Sequence, residues 1–201
     1  MNRALPEAVY VERVIPVARG LDDITAPPLV EALARGGIST IEITIEGNTG
    51  LRAIEAVAGS GSIVAAGTVL SVGEAERAMD AGATFLVSPH LDTELLSWAV
   101  ENEVPLIPGA FTPSEIAAAR RFDPPAIKLF PASLGGPGHI KSLFGPYPDL
   151  VVIPTGGIDG DNASAYLAAG AMAVGVGSWL TSHDDLDLVC ERAALLRSRV
   201  V

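Results

Sequence analysis

The sequence predicts a parallel α/β protein, a compact (β/α)8 barrel in a single domain, and three observations carry the prediction. Eight short β-branched runs alternate with alanine-rich, amphipathic segments from residue 14 to residue 179. The runs are apolar nearly throughout rather than at every second position, which is the pattern of parallel strands covered on both faces. Each connection is long enough for a crossover helix, which parallel neighbours require. The competing architecture, a doubly wound open sheet, usually carries a G-x-G-x-x-G turn after its first strand, and VIPVARGLDD (14–23) has none.

The elements follow in order. Residues 1–13 read as an N-terminal arm or helix, and 14–201 as the (β/α)8 catalytic domain. VIPVAR (14–19) is the first strand. In PPLVEALARGG, Pro27 and Pro28 occupy a helical first turn and Gly36-Gly37 is the stop. TIEITI (40–45) and IVAAGTV (63–69) are the second and third strands. In SVGEAERAMDAG, Ser71 is an N-cap with Glu74 at capping-box spacing. TFLVSP (84–89), PLIPGA (105–110), AIKLFPA (126–132), LVVIPTGG (150–157) and AVGVGSW (173–179) complete the eight. There is no linker, low-complexity segment or second domain.

Composition bounds the function. A chain of 201 residues, 49% hydrophobic and 18% charged, is a soluble globular mixture of one-domain size. Its formal net charge of -11 excludes a nucleic-acid surface, which needs clustered Lys and Arg, so an anionic small substrate must be held by local groups. Cys190 is the only cysteine, which leaves no disulfide framework and no cysteine-rich metal site. With no signal-like N-terminus and no apolar run near the ~20 residues of a membrane span, the expected location is the cytoplasm.

In such a barrel the active site lies at the C-terminal ends of the strands. The first run ends in Arg19; the second carries Glu42, Thr44 and then Glu46; the third ends at Gly67-Thr68, the fourth at Ser88-Pro89 and the fifth at Pro108-Gly109. The sixth carries Lys128 and Phe130, the seventh ends in Thr155-Gly156-Gly157 and the eighth in Gly177-Ser178. Lys128 stands out because lysine is seldom buried, and the chain has only two lysines among 13 basic residues. Alternation sends Lys128 and Phe130 to one face and Ile127 and Leu129 to the other. Apolar walls disfavour the charged amine, and a neutral amine is a nucleophile able to form a Schiff base with a carbonyl substrate. Glu42, an acid on an apolar strand, suits the proton transfers that such chemistry needs.

Plainer readings stand beside these. A strand lysine can snorkel to a barrel mouth or pair structurally with a carboxylate. The Gly-Gly and Gly-Ser pairs can be ordinary turns, although barrel phosphate sites often form there. His90, His139 and His183 share no metal-ligand spacing, so no metal is expected, while His90 sits just past a strand end within reach of substrate. Cys190 reads as filler and Trp179 as packing.

The segments PVARG, EITIEGN, AAGTVL, LVSPHL, IPGAFT, AIKLFPAS, GGPGHIKSL, PTGGI and GVGSWL, in this order over residues 14–180, resemble the bacterial 2-keto-3-deoxy-6-phosphogluconate aldolase family. That family also holds 2-keto-3-deoxy-6-phosphogalactonate and 4-hydroxy-2-oxoglutarate aldolases. The resemblance implies that Lys128 is the Schiff-base lysine and Glu42 the acid–base residue. It implies that Thr68 and Pro89 line the pyruvate end, that Phe130 packs beside the iminium, and that Gly156, Gly157, Gly177 and Ser178 hold the phosphate. It further implies a homotrimer without cofactor or metal, cleaving a 2-keto-3-deoxy-6-phospho sugar acid reversibly to pyruvate and glyceraldehyde 3-phosphate. One position departs: Glu46 stands where phosphogluconate-type members commonly carry an arginine for the substrate carboxylate. Arg19, as in phosphogalactonate-type members, is the implied substitute, together with their GPxxIK stretch, here containing Gly136, Pro137 and Lys141. The exchange leaves the substrate's stereochemistry open, with a lean toward the galactonate type. The rivals are a phosphate-binding barrel isomerase or epimerase, which needs no strand-six lysine, and a non-catalytic barrel subunit.

Overall fold

The computed structural model describes residues 3–182 and 185–200. The strands are β1 (Val14–Ala18), β2 (Thr40–Thr44), β3 (Ile63–Gly67), β4 (Phe85–Val87), β5 (Leu106–Ile107), β6 (Gly109–Ala110), β7 (Ile127–Leu129), β8 (Val152–Pro154) and β9 (Val174–Val176). Every pairing is parallel. One curled sheet runs in the order β5-β4-β3-β2-β1-β9, and a second in the order β6-β7-β8.

The fifth run, expected as one strand over 105–110, is two short strands in two sheets. Pro108 is the cause: it has no N–H to give a ladder. Its carbonyl instead accepts from the Lys128 N–H at 2.9 Å, which starts the β6–β7 pairing. At their other ends the two sheets meet through an isolated parallel bridge between Thr155 and Gly175.

The helices are α1 (Glu7–Glu12), α2 (Ala26–Arg35), α3 (Asn48–Val57), α4 (Val72–Asp80), α5 (Thr93–Glu101), α6 (Pro113–Ala119), α7 (Gly136–Leu143), α8 (Ala163–Ala168), α9 (Ser178–Thr181) and α10 (Leu186–Val200). None among the described residues is long and apolar enough to cross a membrane. Gly37, at φ 84°, ends α2 as expected, since that left-handed backbone suits glycine. Ser71 caps α4 by accepting from the Glu74 N–H, but the Glu74 carboxylate reaches back to the N–H of Leu70, not of Ser71. The complete capping box stands on α6 instead, between Thr112 and Glu115.

Two apolar clusters result from the alternation along the strands. The outer one packs strand residues such as Ile43, Leu86, Ile127 and Leu129 against helical residues such as Leu29, Leu33 and Ile54. The inner one gathers Ile15, Ala65, Phe85, Val87, Ile107 and Ile153 from the opposite strand faces, with Leu5 and Val9 closing it from the N-terminal segment. A latch holds that segment in place. The buried Glu12 carboxylate accepts from the Ser39 N–H at 2.8 Å, the Ser39 hydroxyl at 2.5 Å and the Thr40 N–H at 3.1 Å.

Candidate active site

Lys128 sits at the centre of β7, in register with Gly109 of β6 and Ile153 of β8. Its neighbours Ile127 and Leu129 belong to the outer cluster, so the lysine points to the inner face. Glu42 reaches the same space from β2, flanked by Val17 of β1 and Ala65 of β3. The two side chains meet with Lys128 Nζ donating to Glu42 Oε1 at 3.2 Å, although they lie 86 residues apart. The residues are only 4% and 3% exposed. The Phe130 ring lies beside the amine, its centroid 5.6 Å from Nζ, within range of a cation–π contact.

The small cavity around the pair is lined by Ile15, Val87, Ile107 and Ile153, as the expectation of apolar walls requires, but also by Glu42 and Thr155. Lys128 therefore does not stand among apolar walls alone; a carboxylate faces it. Removing two charges from water is expensive, and their mutual attraction repays it only in part. A buried lysine–carboxylate pair that lines a cavity marks this place as the candidate functional site.

Thr155 also lines a second cavity of about 370 Å³ together with Arg19, Phe130, Gly156, Gly157, Gly177, Ser178 and Trp179. The lysine chamber and this outer pocket thus share a wall residue, and six of the predicted site residues come together in the outer pocket. Gly156 and Gly157 have φ of 97° and 74°, which a side chain adopts only under strain. A Cβ at Gly157 would also lie 2.7 Å from that of Ser133. Arg19 follows β1, is exposed, and is the one cationic residue lining this pocket among the described residues.

Other predicted residues fall differently. Thr68 and Pro89 follow β3 and β4, are half-buried, and line neither cavity. Thr68 has φ 58°, a left-handed backbone that costs a β-branched residue of order 1–3 kcal/mol and that gathers at functional sites. The Pro89 carbonyl fills the space where Gly109, the register partner of Lys128, lacks a Cβ. Glu46 is exposed, accepts from the Thr44 hydroxyl at 3.1 Å and lines neither cavity.

His90 is exposed. His139 stacks on Phe111 at 4.7 Å with its Nε2 2.8 Å from the Phe111 carbonyl oxygen, so Nε2 carries the proton. His183 lies outside the described residues. No group of His, Cys, Asp and Glu among the described residues is arranged to hold a metal ion. Cys190 is half-buried, its carbonyl close to Gly36. Trp179, read as packing, lies over Gly160 and under the Arg192 guanidinium, yet also walls the outer pocket. Thr155 was legible only as a strand-end hydroxyl before Gly-Gly; its place between the two cavities has no sequence signal.

Residues 6–190 match the family model described as KDPG and KHG aldolase. The chain belongs to the KDPG and KHG aldolase family. Among curated members, it is 40% identical over 172 residues to the 2-dehydro-3-deoxy-phosphogluconate aldolase of Pseudomonas aeruginosa, covering 84% of this chain and 78% of that protein. It is 34% identical over 171 residues to a probable 2-dehydro-3-deoxy-6-phosphogalactonate aldolase of Rhizobium meliloti, covering 83% and 81%. The crystal structure of the KDPG aldolase from Legionella pneumophila, in which pyruvate was captured at low pH as a covalent carbinolamine intermediate, superposes with a TM-score of 0.88 at 31% identity, covering 96% and 98% of the two chains. In this member of the family a buried lysine–carboxylate pair adjoins a pocket walled by glycine turns.

Proposed function

We propose that the protein is a class I aldolase that reversibly cleaves a 2-keto-3-deoxy-6-phospho sugar acid to pyruvate and glyceraldehyde 3-phosphate. The observation that carries this reading is the buried Lys128–Glu42 contact of 3.2 Å, in a small chamber that adjoins the glycine-walled pocket through Thr155. A proton passed from the Lys128 ammonium to Glu42 leaves a free amine. The amine adds to the C2 carbonyl, and Glu42 supplies the protons that let water leave and the iminium form. Glu42, again a carboxylate, takes the C4 hydroxyl proton as the C3–C4 bond breaks, and the electron pair of that bond passes into the iminium to give an enamine and the free aldehyde. Protonation at C3 and hydrolysis return pyruvate and the lysine.

The remaining assignments support that sequence. Gly156, Gly157, Gly177 and Ser178 take the phosphate, whose charge the open backbone amides of such turns favour. Arg19 supplies the guanidinium that the substrate carboxylate needs where Glu46 offers none, and Phe130 packs beside the iminium. Thr68 and Pro89 border the pyruvate end. No metal or cofactor enters the steps. Residues 14–201 form one catalytic domain, and its strands close into a (β/α)8 barrel, a reading supported by chain continuity through Pro108 at one sheet junction and the Thr155–Gly175 bridge at the other. Ile24, in the turn before α2, and Leu134, in a short 3-10 helix (Ala132–Leu134) after β7, are 76% and 75% exposed and are apolar surface that a homotrimer would cover.

The test is the intact mass of the wild-type protein after incubation with pyruvate and sodium borohydride, followed by peptide mapping. A reduced-pyruvate adduct on Lys128 supports the reading, and cleavage of the gluconate and galactonate epimers in excess chelator then fixes the substrate. A folded protein without an adduct on Lys128 refutes it.

A further inference from the structure

Gly67 ends β3, where a glycine weakens the strand relative to alanine and so calls for a reason. Its backbone gives none: Gly67 is not among the residues of positive φ, and it pairs in regular parallel register with Thr44. The reason lies beside it. A Cβ at position 67 would stand 2.2 Å from Glu42 Oε1, 2.6 Å from Cγ and 2.7 Å from Cδ, and these are the three nearest atoms. All three belong to one side chain. Gly109 is the instructive contrast, because a Cβ there would strike the backbone of Pro89 and His90 and displace a loop.

The register explains the geometry. Glu42 is paired with Ala65, and Thr44 with Gly67. The Glu42 side chain therefore leans past Ala65, toward the end of the strand, and lays its carboxylate over the position two residues further on. That lean carries the Oε1 that lies 3.2 Å from Lys128 Nζ. We propose that Gly67 is a positioning residue: its missing side chain is the slot that holds the Glu42 carboxylate against Lys128. The role in catalysis rests on the aldolase reading; the slot itself does not. A methyl group at 67 leaves the backbone unstrained and forces Glu42 to turn away from the amine.

The experiment compares wild type, Gly67→Ala, Glu42→Ala and the double variant. In deuterated water with pyruvate, Gly67→Ala is expected to exchange the methyl protons at least about 100-fold more slowly than wild type, as when general acid–base catalysis is lost. Half-saturation by pyruvate stays within about twofold, and prolonged borohydride trapping still labels Lys128 fully. Exchange within about threefold of wild type overturns the proposal. Thermal unfolding supplies the second arm. Gly67→Ala lowers Tm when Glu42 is present and leaves it unchanged or raised in the Glu42→Ala background; an equal fall in both backgrounds overturns the slot. Absence of an adduct in wild type would defeat the aldolase reading, while the Tm cycle would still decide whether position 67 is shaped by Glu42.

Discussion

Replacing Lys128 with methionine removes one partner of a pair whose residues are 4% and 3% exposed, and leaves the Glu42 carboxylate facing Ile15, Val87, Ile107 and Ile153. Breaking a buried pair in this way typically costs 3–5 kcal/mol, about 3–5 here, because the remaining charge has neither water nor a counterion. For a chain of this size each kcal/mol moves Tm by about 2–4 °C, so Lys128→Met should melt roughly 6–20 °C below wild type. The variant is therefore not a neutral probe of nucleophilicity, despite the similar shape of the two side chains. Lys128→Met/Glu42→Gln should recover most of the loss, since a neutral amide strands no charge, and Lys128→Met/Glu42→Leu should match or exceed wild type. Differential scanning calorimetry of these proteins together with the single variant Glu42→Gln measures the coupling directly. A Lys128→Met protein within about 1 kcal/mol of wild type would refute the reasoning, because Glu42 would then hold no charge that needs Lys128.

Two further outcomes follow from other parts of the molecule. Glu12→Ala removes the acceptor for the Ser39 and Thr40 N–H groups, and leaving the buried Thr40 donor unpaired should cost about 1–3 kcal/mol in urea unfolding, with no change if water replaces the carboxylate. The N–H groups of Thr112 and Phe111 and the Thr112 hydroxyl hold the Glu115 carboxyl below its ordinary value of 4.5. A lowered value in the folded state means that the cap stabilises above the unfolded value and is lost as pH falls through the folded one. Glu115→Gln keeps an acceptor at N3 but loses the charge, and should therefore destabilise α6 by about 0.3–1 kcal/mol at pH 7. The gap from wild type should narrow below pH ~4.5; a gap constant from pH 7 to pH 3, followed by thermal melts, would contradict the assignment.

Much of the site was legible because strand periodicity is local. The alternation that turns Ile127 and Leu129 outward turns Lys128 inward, and the same rule turns Glu42 inward from a run of isoleucines. The Gly-Gly and Gly-Ser turns were legible as punctuation. What failed was also local: Pro108 interrupts an apolar run that reads as one strand, and the Glu74 carboxylate bonds one residue earlier than its spacing suggests.

By itself the sequence determined the parallel α/β class, the inward face of Lys128, the glycine turns and the resemblance to an aldolase family, because each depends on periodicity, backbone freedom or motif order along the chain. Only the tertiary structure decided that the two charges touch, that Thr155 is shared by both cavities, and that Gly67 is empty where Glu42 must lie. Those are contacts between strands far apart in the chain. Their distances are set by which strands pair and in what register, and no periodicity within a single strand encodes them.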